Sequence, residues 1–403
     1  MTAELLDSFN SIANADVAGK RVLIRADLNV PMSGGQVTDA TRIERLLPTF
    51  QGLLRRGAKV VILSHLGRPD GKPVAKYTLK PVAEKLSSLL GIQVFFGEDC
   101  IGPAAKALVD GLSSGQIGML ENLRYHEGEE KNDASFAAEL AKLGDIYVND
   151  AFSVSHRAHA STEGLARLLP AYAGPSMLAE IGALKLALDA PKRPVAAIVG
   201  GSKVSTKIDV LGHLAKKVDY LIIGGGMANT FLFAKGSAVG KSLHEPGAVS
   251  TVEDILGKAA EAGCKIVLPV DAVVAGELKA NVETAVVPVN EVPADKMILD
   301  VGPASVKEFA QTIANCKTLL WNGPVGAFEI PPFGEATFEL AREAAKLTQA
   351  GALTTIAGGG DTVAALNAAG VTDKFSYVST AGGAFLEWLE GRTLPGVAVL
   401  MRS

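Results

Sequence analysis

The chain has little of what marks several common protein classes. Only three of its 403 residues are cysteines (Cys100, Cys264 and Cys316), far apart and in no CxxC spacing. That excludes a disulfide framework or a zinc ribbon and reads as reduced core thiols. No block of lysine or arginine occurs, and the net charge is only −4. No nucleic-acid partner or polybasic membrane anchor is therefore expected. The first residues carry Glu4 and Asp7 where a signal peptide needs positive charge. Uncharged stretches such as 220–234 and 347–360 are too short and glycine-rich to span a bilayer. A cytoplasmic location follows as the expectation. Also missing are a GxxxxGK[ST] P-loop, a GxGxxG fingerprint, a GxSxG elbow and an HExxH pair. The commonest nucleotide site, a nicotinamide enzyme, a serine hydrolase and a zinc protease are each disfavoured.

What is present is a rhythm. Short apolar runs alternate with amphipathic stretches of ten or more residues, at 22–29, 60–65, 92–96, 117–122 and 146–150, then again at 196–201, 220–226, 265–271, 318–323, 353–360 and 377–380. Continuous apolar strands between helices predict parallel sheets covered on both faces. Within 41–56, Ile43, Leu46, Leu47, Phe50 and Leu54 recur at helical spacing. Pro81 suits the start of a helix over 79–90, and Gly57 and Gly91 suit the positions just past helix ends. The length fits two domains of about 200 residues each. The expected class is α/β: two doubly wound, Rossmann-like parallel-sheet domains, 1–175 and 191–390, joined by a connecting helix and hinge at 176–190. A cleft between them is expected, and 391–403 form a tail.

Ligands of open parallel sheets bind beyond the carboxyl ends of the strands. In the first half those ends carry Asp27, Asn29, His65, Arg68, Arg124 and Asp150, then Arg157 between His156 and His159, while Arg42 opens the first long helix. Each arginine alone reads as a surface group. Four of them at places that could converge read as a site for a small phosphorylated acid, because guanidinium forks match phosphate and carboxylate oxygens.

The second half has different chemistry at its strand ends: Gly200-Gly201-Ser202-Lys203, Gly224-Gly225-Gly226, Gly323, and Gly358-Gly359-Gly360-Asp361-Thr362. Glycines between strand and helix let backbone N–H groups approach phosphate oxygens. Lys203 and Lys207, one helical turn apart, are expected on one face beside a terminal phosphate. Asp361 suits Mg²⁺, which favours one or two carboxylates together with phosphate oxygens. The residues alone leave open another carboxylate or sugar kinase, a non-catalytic nucleotide-binding protein and, less well, an oxidoreductase.

Ten segments in order, from RVLIRADLNVP (21–31) and SHLGRP (64–69) through ENLRYHEGEE (121–130), NDAFSVSHRAHAST (149–162), GGSKVSTKI (200–208), GGGMANTF (224–231), LDVGP (299–303), WNGPVGAFE (321–329) and GGGDT (358–362) to VSTAGGAF (378–385), resemble the phosphoglycerate kinase family. The resemblance implies a glycolytic enzyme. It transfers a phosphoryl group reversibly and in line between 1,3-bisphosphoglycerate and ADP, giving 3-phosphoglycerate and ATP, with Mg²⁺ and hinge closure in a monomer. By resemblance, Asp27, Leu28, Asn29, Arg42, His65, Leu66, Gly67, Arg68, Arg124 and Arg157 hold the acid in the N-terminal domain. Gly201, Lys207, Gly225, Asn322, Pro324, Glu329, Gly358, Gly359, Gly360, Asp361 and Thr362 hold Mg-nucleotide in the C-terminal one, Asp361 on the metal side. Arg42, Lys203, Lys207, Gly359 and Gly382 are expected at the transferring group, and the tail packs back on the first domain. Two departures stand out. Ala381 occupies a usual glycine position, harmful only if that backbone needs a positive φ, and Ser153 stands where glycine is frequent.

Overall fold

The computed structural model describes residues 6–402. The chain forms two compact units: one runs to Gly182 and takes the chain back from Thr393, and the other is Ala183–Arg392. Among the described residues, no helix is long and apolar enough to cross a membrane.

The strands of the first unit are β1 (Arg21–Ala26), β2 (Met32–Ser33), β3 (Gln36–Val37), β4 (Lys59–Leu63), β5 (Val94–Gly97), β6 (Ile117–Leu120), β7 (Ile146–Asp150) and β8 (Ala171–Ala173). Except for the small β2–β3 hairpin, they form one parallel sheet in the order β5-β6-β4-β1-β7-β8. The core strands are buried along nearly their whole length, as a sheet covered on both faces requires. The run expected at 22–29 stops early, at Ala26. Beyond it the Asp27 carboxylate accepts from the Asn29 N–H at 3.2 Å, and the chain turns into a loop.

The helix Thr41–Arg55 buries Ile43, Leu46, Phe50 and Leu53, whereas Leu47 and Leu54 are only partly covered. Its Thr49 also points inward, donating to Asp150 Oδ2 at 2.8 Å. Asp150 accepts from the Met177 N–H at 2.9 Å as well, at the start of the helix Pro175–Leu188. This strand-end carboxylate therefore ties helices to the sheet rather than facing a ligand. The returning chain packs by backbone approach: Gly396 N–H donates to Ser155 O at 2.9 Å, and Asn149 Nδ2 donates to Gly396 O at 3.2 Å. A Cβ on Gly396 would lie 2.9 Å from Ser155 Cα, so only glycine fits.

The second unit contains β9 (Val195–Val199), β10 (Tyr220–Ile223), β11 (Lys265–Val267), β12 (Asp271–Ala275), β13 (Ala285–Pro288), β14 (Met297–Val301), β15 (Thr318–Asn322), β16 (Thr354–Gly358) and β17 (Tyr377–Ser379). Six of them form a parallel sheet in the order β11-β10-β9-β15-β16-β17, and β13-β12-β14 form a small antiparallel sheet. The apolar run at 265–271, expected as one strand, is divided between the two sheets. Pro269 has no N–H for a ladder, and the Asp271 carboxylate turns to accept from Ala304 and Ser305 N–H groups at the start of the helix Pro303–Ala314.

The order reverses between β9 and β15, the position where doubly wound sheets open a crevice. There the two loops touch through bare backbone. A Cβ on Gly200 would lie 1.8 Å from Pro324 O, and one on Gly323 would lie 2.2 Å from Gly200 O. Ala381 is not among the residues with positive φ, and its N–H donates to Ser379 Oγ at 3.1 Å. The neighbouring Gly382 takes the positive φ, 55°, so the alanine is unstrained. Ala381→Gly should lower stability by about 0.5–1 kcal/mol in urea unfolding and leave turnover unchanged. A marked gain in turnover would mean that the alanine is a defect.

Candidate active site

The polar groups of the first unit gather past β1, β4, β6 and β7. Asp27 is the hub. Arg42 Nη1 donates to its Oδ2 at 2.7 Å and Ser153 Oγ donates to the same oxygen at 2.6 Å. This bridges the loops after β1 and β7, where the first sheet reverses. The serine at a frequent glycine position thus has a defined partner. Asn29 Oδ1 accepts from the Gly67 N–H at 2.9 Å, and Arg124 Nη1 donates to Gly67 O at 3.0 Å. Arg124 Nε lies 3.4 Å from Glu130 and makes no hydrogen bond. The guanidinium groups of Arg68 and Arg157 are exposed and have no hydrogen bond or ion pair among the described residues. Leu28 and Leu66 have buried side chains, which leaves only their backbone to meet a ligand.

Two histidines in this cluster are held neutral. Burial, reinforced by Arg25 and Arg124, lowers the His65 pKa well below its ordinary value. Burial and the same arginines bring His159 down to about 4. The local surplus of guanidinium charge makes an acceptor-rich anion the fitting occupant.

In the second unit the site is built on backbone. Lys207 Nζ donates to Gly200 O and to Asn322 Oδ1, both at 2.7 Å. Asn322 Nδ2 donates to Gly358 O at 2.8 Å, and the Gly323 N–H donates to Thr362 Oγ1 at 2.7 Å. These bonds join the loops after β9, β15 and β16. The three glycines at 358–360 serve different ends. A Cβ on Gly358 would strike the Phe385 ring, Gly359 has a φ of 98° against Asn322, and Gly360 faces open space. The helix Gly360–Ala368 starts there and offers its N–H groups. A cavity of about 600 Å³ opens beside it, lined by Gly201, Gly225, Pro324, Glu329 and Asp361 and by apolar groups such as Leu243 and Val325.

The expectation that Lys203 and Lys207 share a helix face is corrected. Residues 204–206 form a single 3₁₀ turn, Lys203 is extended, Lys207 has a non-helical backbone with φ −134° and ψ 20°, and the helix Ile208–Leu214 begins after them. Lys203 is exposed, whereas Lys207 is drawn inward by its two acceptors. Gly382 caps the helix Gly383–Leu389, with no atom within 4 Å of a Cβ placed there.

Asp361 is an exposed carboxylate on the cavity wall, with no hydrogen bond or ion pair among the described residues, and close enough to Lys207 to oppose the lowering of its pKa by burial. A free hard oxygen donor beside a phosphate cradle fits Mg²⁺.

Residues not foreseen from the sequence are the buried set Arg25, Glu129 and Ser161, and Asp300. Asp300 accepts from Val301 and Ala336 N–H groups, lines the cavity, and is pushed up to about 8 by burial. Arg25 leaves a signal in the sequence: an arginine inside the otherwise apolar run RVLIRA.

One unit bearing free guanidinium groups and another bearing lysine beside glycine-rich strand ends fit a phosphotransferase with an anionic acceptor. The profile of the phosphoglycerate kinase family matches residues 12–392, and the chain belongs to that family. It is 61% identical to the phosphoglycerate kinase of Allorhizobium ampelinum over 96% of this chain and 97% of that one. It is 59% identical to that of Rhizobium meliloti over 99% of both. Among solved structures, phosphoglycerate kinase from Coxiella burnetii has a TM-score of 0.91 at 45% identity, covering 97% of this chain and 98% of that one. Membership makes the chain a glycolytic kinase with a nucleotide substrate.

Burial lowers the Lys207 pKa to about 8, with Asp361 opposing the shift. The lysine is therefore charged below pH 8 and loses its charge above it. Nucleotide affinity should fall by up to tenfold per pH unit above about 8. Lys207→Arg should flatten that limb in a calorimetric titration. A wild-type affinity constant from pH 7 to 9.5 would show that Lys207 charge plays no part.

Proposed function

We propose that the first unit holds 3-phosphoglycerate or 1,3-bisphosphoglycerate, that the second holds Mg-ATP or Mg-ADP, and that the phosphoryl group passes directly and in line between them. The observation that carries this reading is the pairing of free Arg68 and Arg157 guanidinium groups in one unit with the Lys207–Asp361 cradle in the other.

The nucleophile is a carboxylate, ionised near neutral pH, so no general base is required and catalysis rests on alignment and charge. In this reading Arg68, Arg124, Arg157, His65 and Asn29 hold the acid. Asp27 holds Arg42 by the 2.7 Å ion pair, which aims its guanidinium without neutralising the surrounding positive charge. Arg42 and Lys203 take up charge on the transferring group. Lys207, the Gly359 and Gly360 backbone and Thr362 hold the nucleotide phosphates, and Glu329 faces the nucleoside end of the cavity. Gly382 contributes only its backbone. Asp361 would hold Mg²⁺, which supplies charge neutralisation on the phosphate oxygens. The fold needs no second chain to supply these residues, and a monomer in the cytoplasm, independent of nucleic acid and membranes, belongs to the same reading.

The reading is tested by Mg-ATP-dependent phosphorylation of 3-phosphoglycerate, coupled to NADH oxidation through glyceraldehyde-3-phosphate dehydrogenase. A signal that vanishes without 3-phosphoglycerate is expected. Folded protein that gives none would overturn the substrate. Arg42→Ala should lower kcat by roughly two orders of magnitude with a smaller change in KM. An effect confined to KM would reduce Arg42 to a binding group.

A further inference from the structure

One fully buried charge in the first unit has no part in the roles above. Arg25, inside β1, has no exposure, and its guanidinium makes three polar contacts. Nε donates to Ser161 Oγ at 2.9 Å, Nη1 donates to Ala26 O at 2.7 Å, and Nη2 lies 3.0 Å from His65 Nδ1. On the far side, Ser161 Oγ donates to Glu129 Oε1 at 2.5 Å, and the Ser161 N–H donates to Oε2 at 3.0 Å. Glu129 is fully buried too.

We propose that Arg25 is a positioning residue for the acid site, locking His65 in the tautomer whose proton sits on Nε2 so that the ring meets an anionic substrate as a hydrogen-bond donor. The reason is the one-sidedness of guanidinium: it has five N–H donors, no acceptor, and does not deprotonate in proteins. At 3.0 Å the Nδ1 facing it must be the acceptor, and a neutral ring then carries its proton on Nε2. A doubly protonated ring would set N–H against N–H at that distance. Burial and the charges around the ring, Arg25, Arg124 and Arg42, act in the same direction and keep it neutral. Nε2 has no hydrogen-bond partner among the described residues and is not sealed from solvent. The other tautomer would present a lone pair to an anion and repel it.

Glu129 completes the device from behind. It is close enough to balance the Arg25 charge electrostatically, yet it reaches the guanidinium only through Ser161. The site therefore keeps a net positive face while the buried arginine is not left alone.

The identity of the anion rests on the proposed phosphoglycerate site, but the tautomer does not. In ¹⁵N-labelled wild-type enzyme without ligand, long-range ¹H–¹⁵N correlation at pH 7.5, assigned with His65→Asn, should show a protonated Nε2 and a bare Nδ1. A protonated Nδ1, or an imidazolium, would overturn the proposal without any variant having to fold. Arg25→Met combined with Glu129→Gln removes both buried charges together. It should populate the Nδ1–H form and raise KM for 3-phosphoglycerate roughly tenfold, with kcat within about threefold. Adding His65→Asn to that pair should cost little more. A full additional loss would mean that Arg25 acts independently of His65, and a fixed Nε2–H tautomer in the charge-free pair would equally overturn its role.

Discussion

A parallel strand covered by helices on both faces can offer polar groups only beyond its ends, and both large sheets here work under that constraint. Their strand interiors are buried almost without interruption, so the candidate ligand groups gather at and beyond the carboxyl ends of the strands. In each sheet the order reverses at one place, between β1 and β7 in the first and between β9 and β15 in the second. The two reversal points are joined differently. The first is bridged by side chains, Ser153 and Arg42 meeting on Asp27, and the second by the direct approach of Gly200 to Gly323 and Pro324. The first arrangement suits an acid read by charge and shape, the second a phosphate chain held by backbone N–H groups.

Much of this was legible in the sequence because the two kinds of loop have different compositions. Arginines after β4, β6 and β7 and glycines after β9, β10 and β16 name their chemistry before any fold is known. Strand existence was also plain, since burial on both faces writes continuous apolar runs. What remained hidden depends on which way a side chain turns. Asp150 looks like a ligand group at a strand end, yet it is held by Thr49 and the Met177 N–H. Lys203 and Lys207 have helical spacing, but Asn322, over a hundred residues away, captures Lys207 and leaves the segment a loop. Pro269 and Asp271, read together, would have marked the break between the two sheets of the second unit. The resemblance to a family supplied roles that spacing could not.

The electrostatics of the two half-sites are tuned in opposite ways. In the first unit, burial and surrounding arginines keep His65 and His159 neutral, so positive charge is concentrated in guanidinium groups that never titrate in the working range. In the second unit the central cation is a lysine near its titration range, with Asp361 as its counter-charge.

The central claim is that each half-site is complete within its own unit. Calorimetric titration of the full chain with 3-phosphoglycerate alone and with Mg-ADP alone tests it most directly, using Arg124→Ala and Asp361→Asn. Arg124→Ala should weaken binding of the acid at least tenfold and leave the Mg-ADP Kd within twofold, and Asp361→Asn should do the reverse. Parallel loss of both affinities in either variant, in protein that remains folded, would contradict the account.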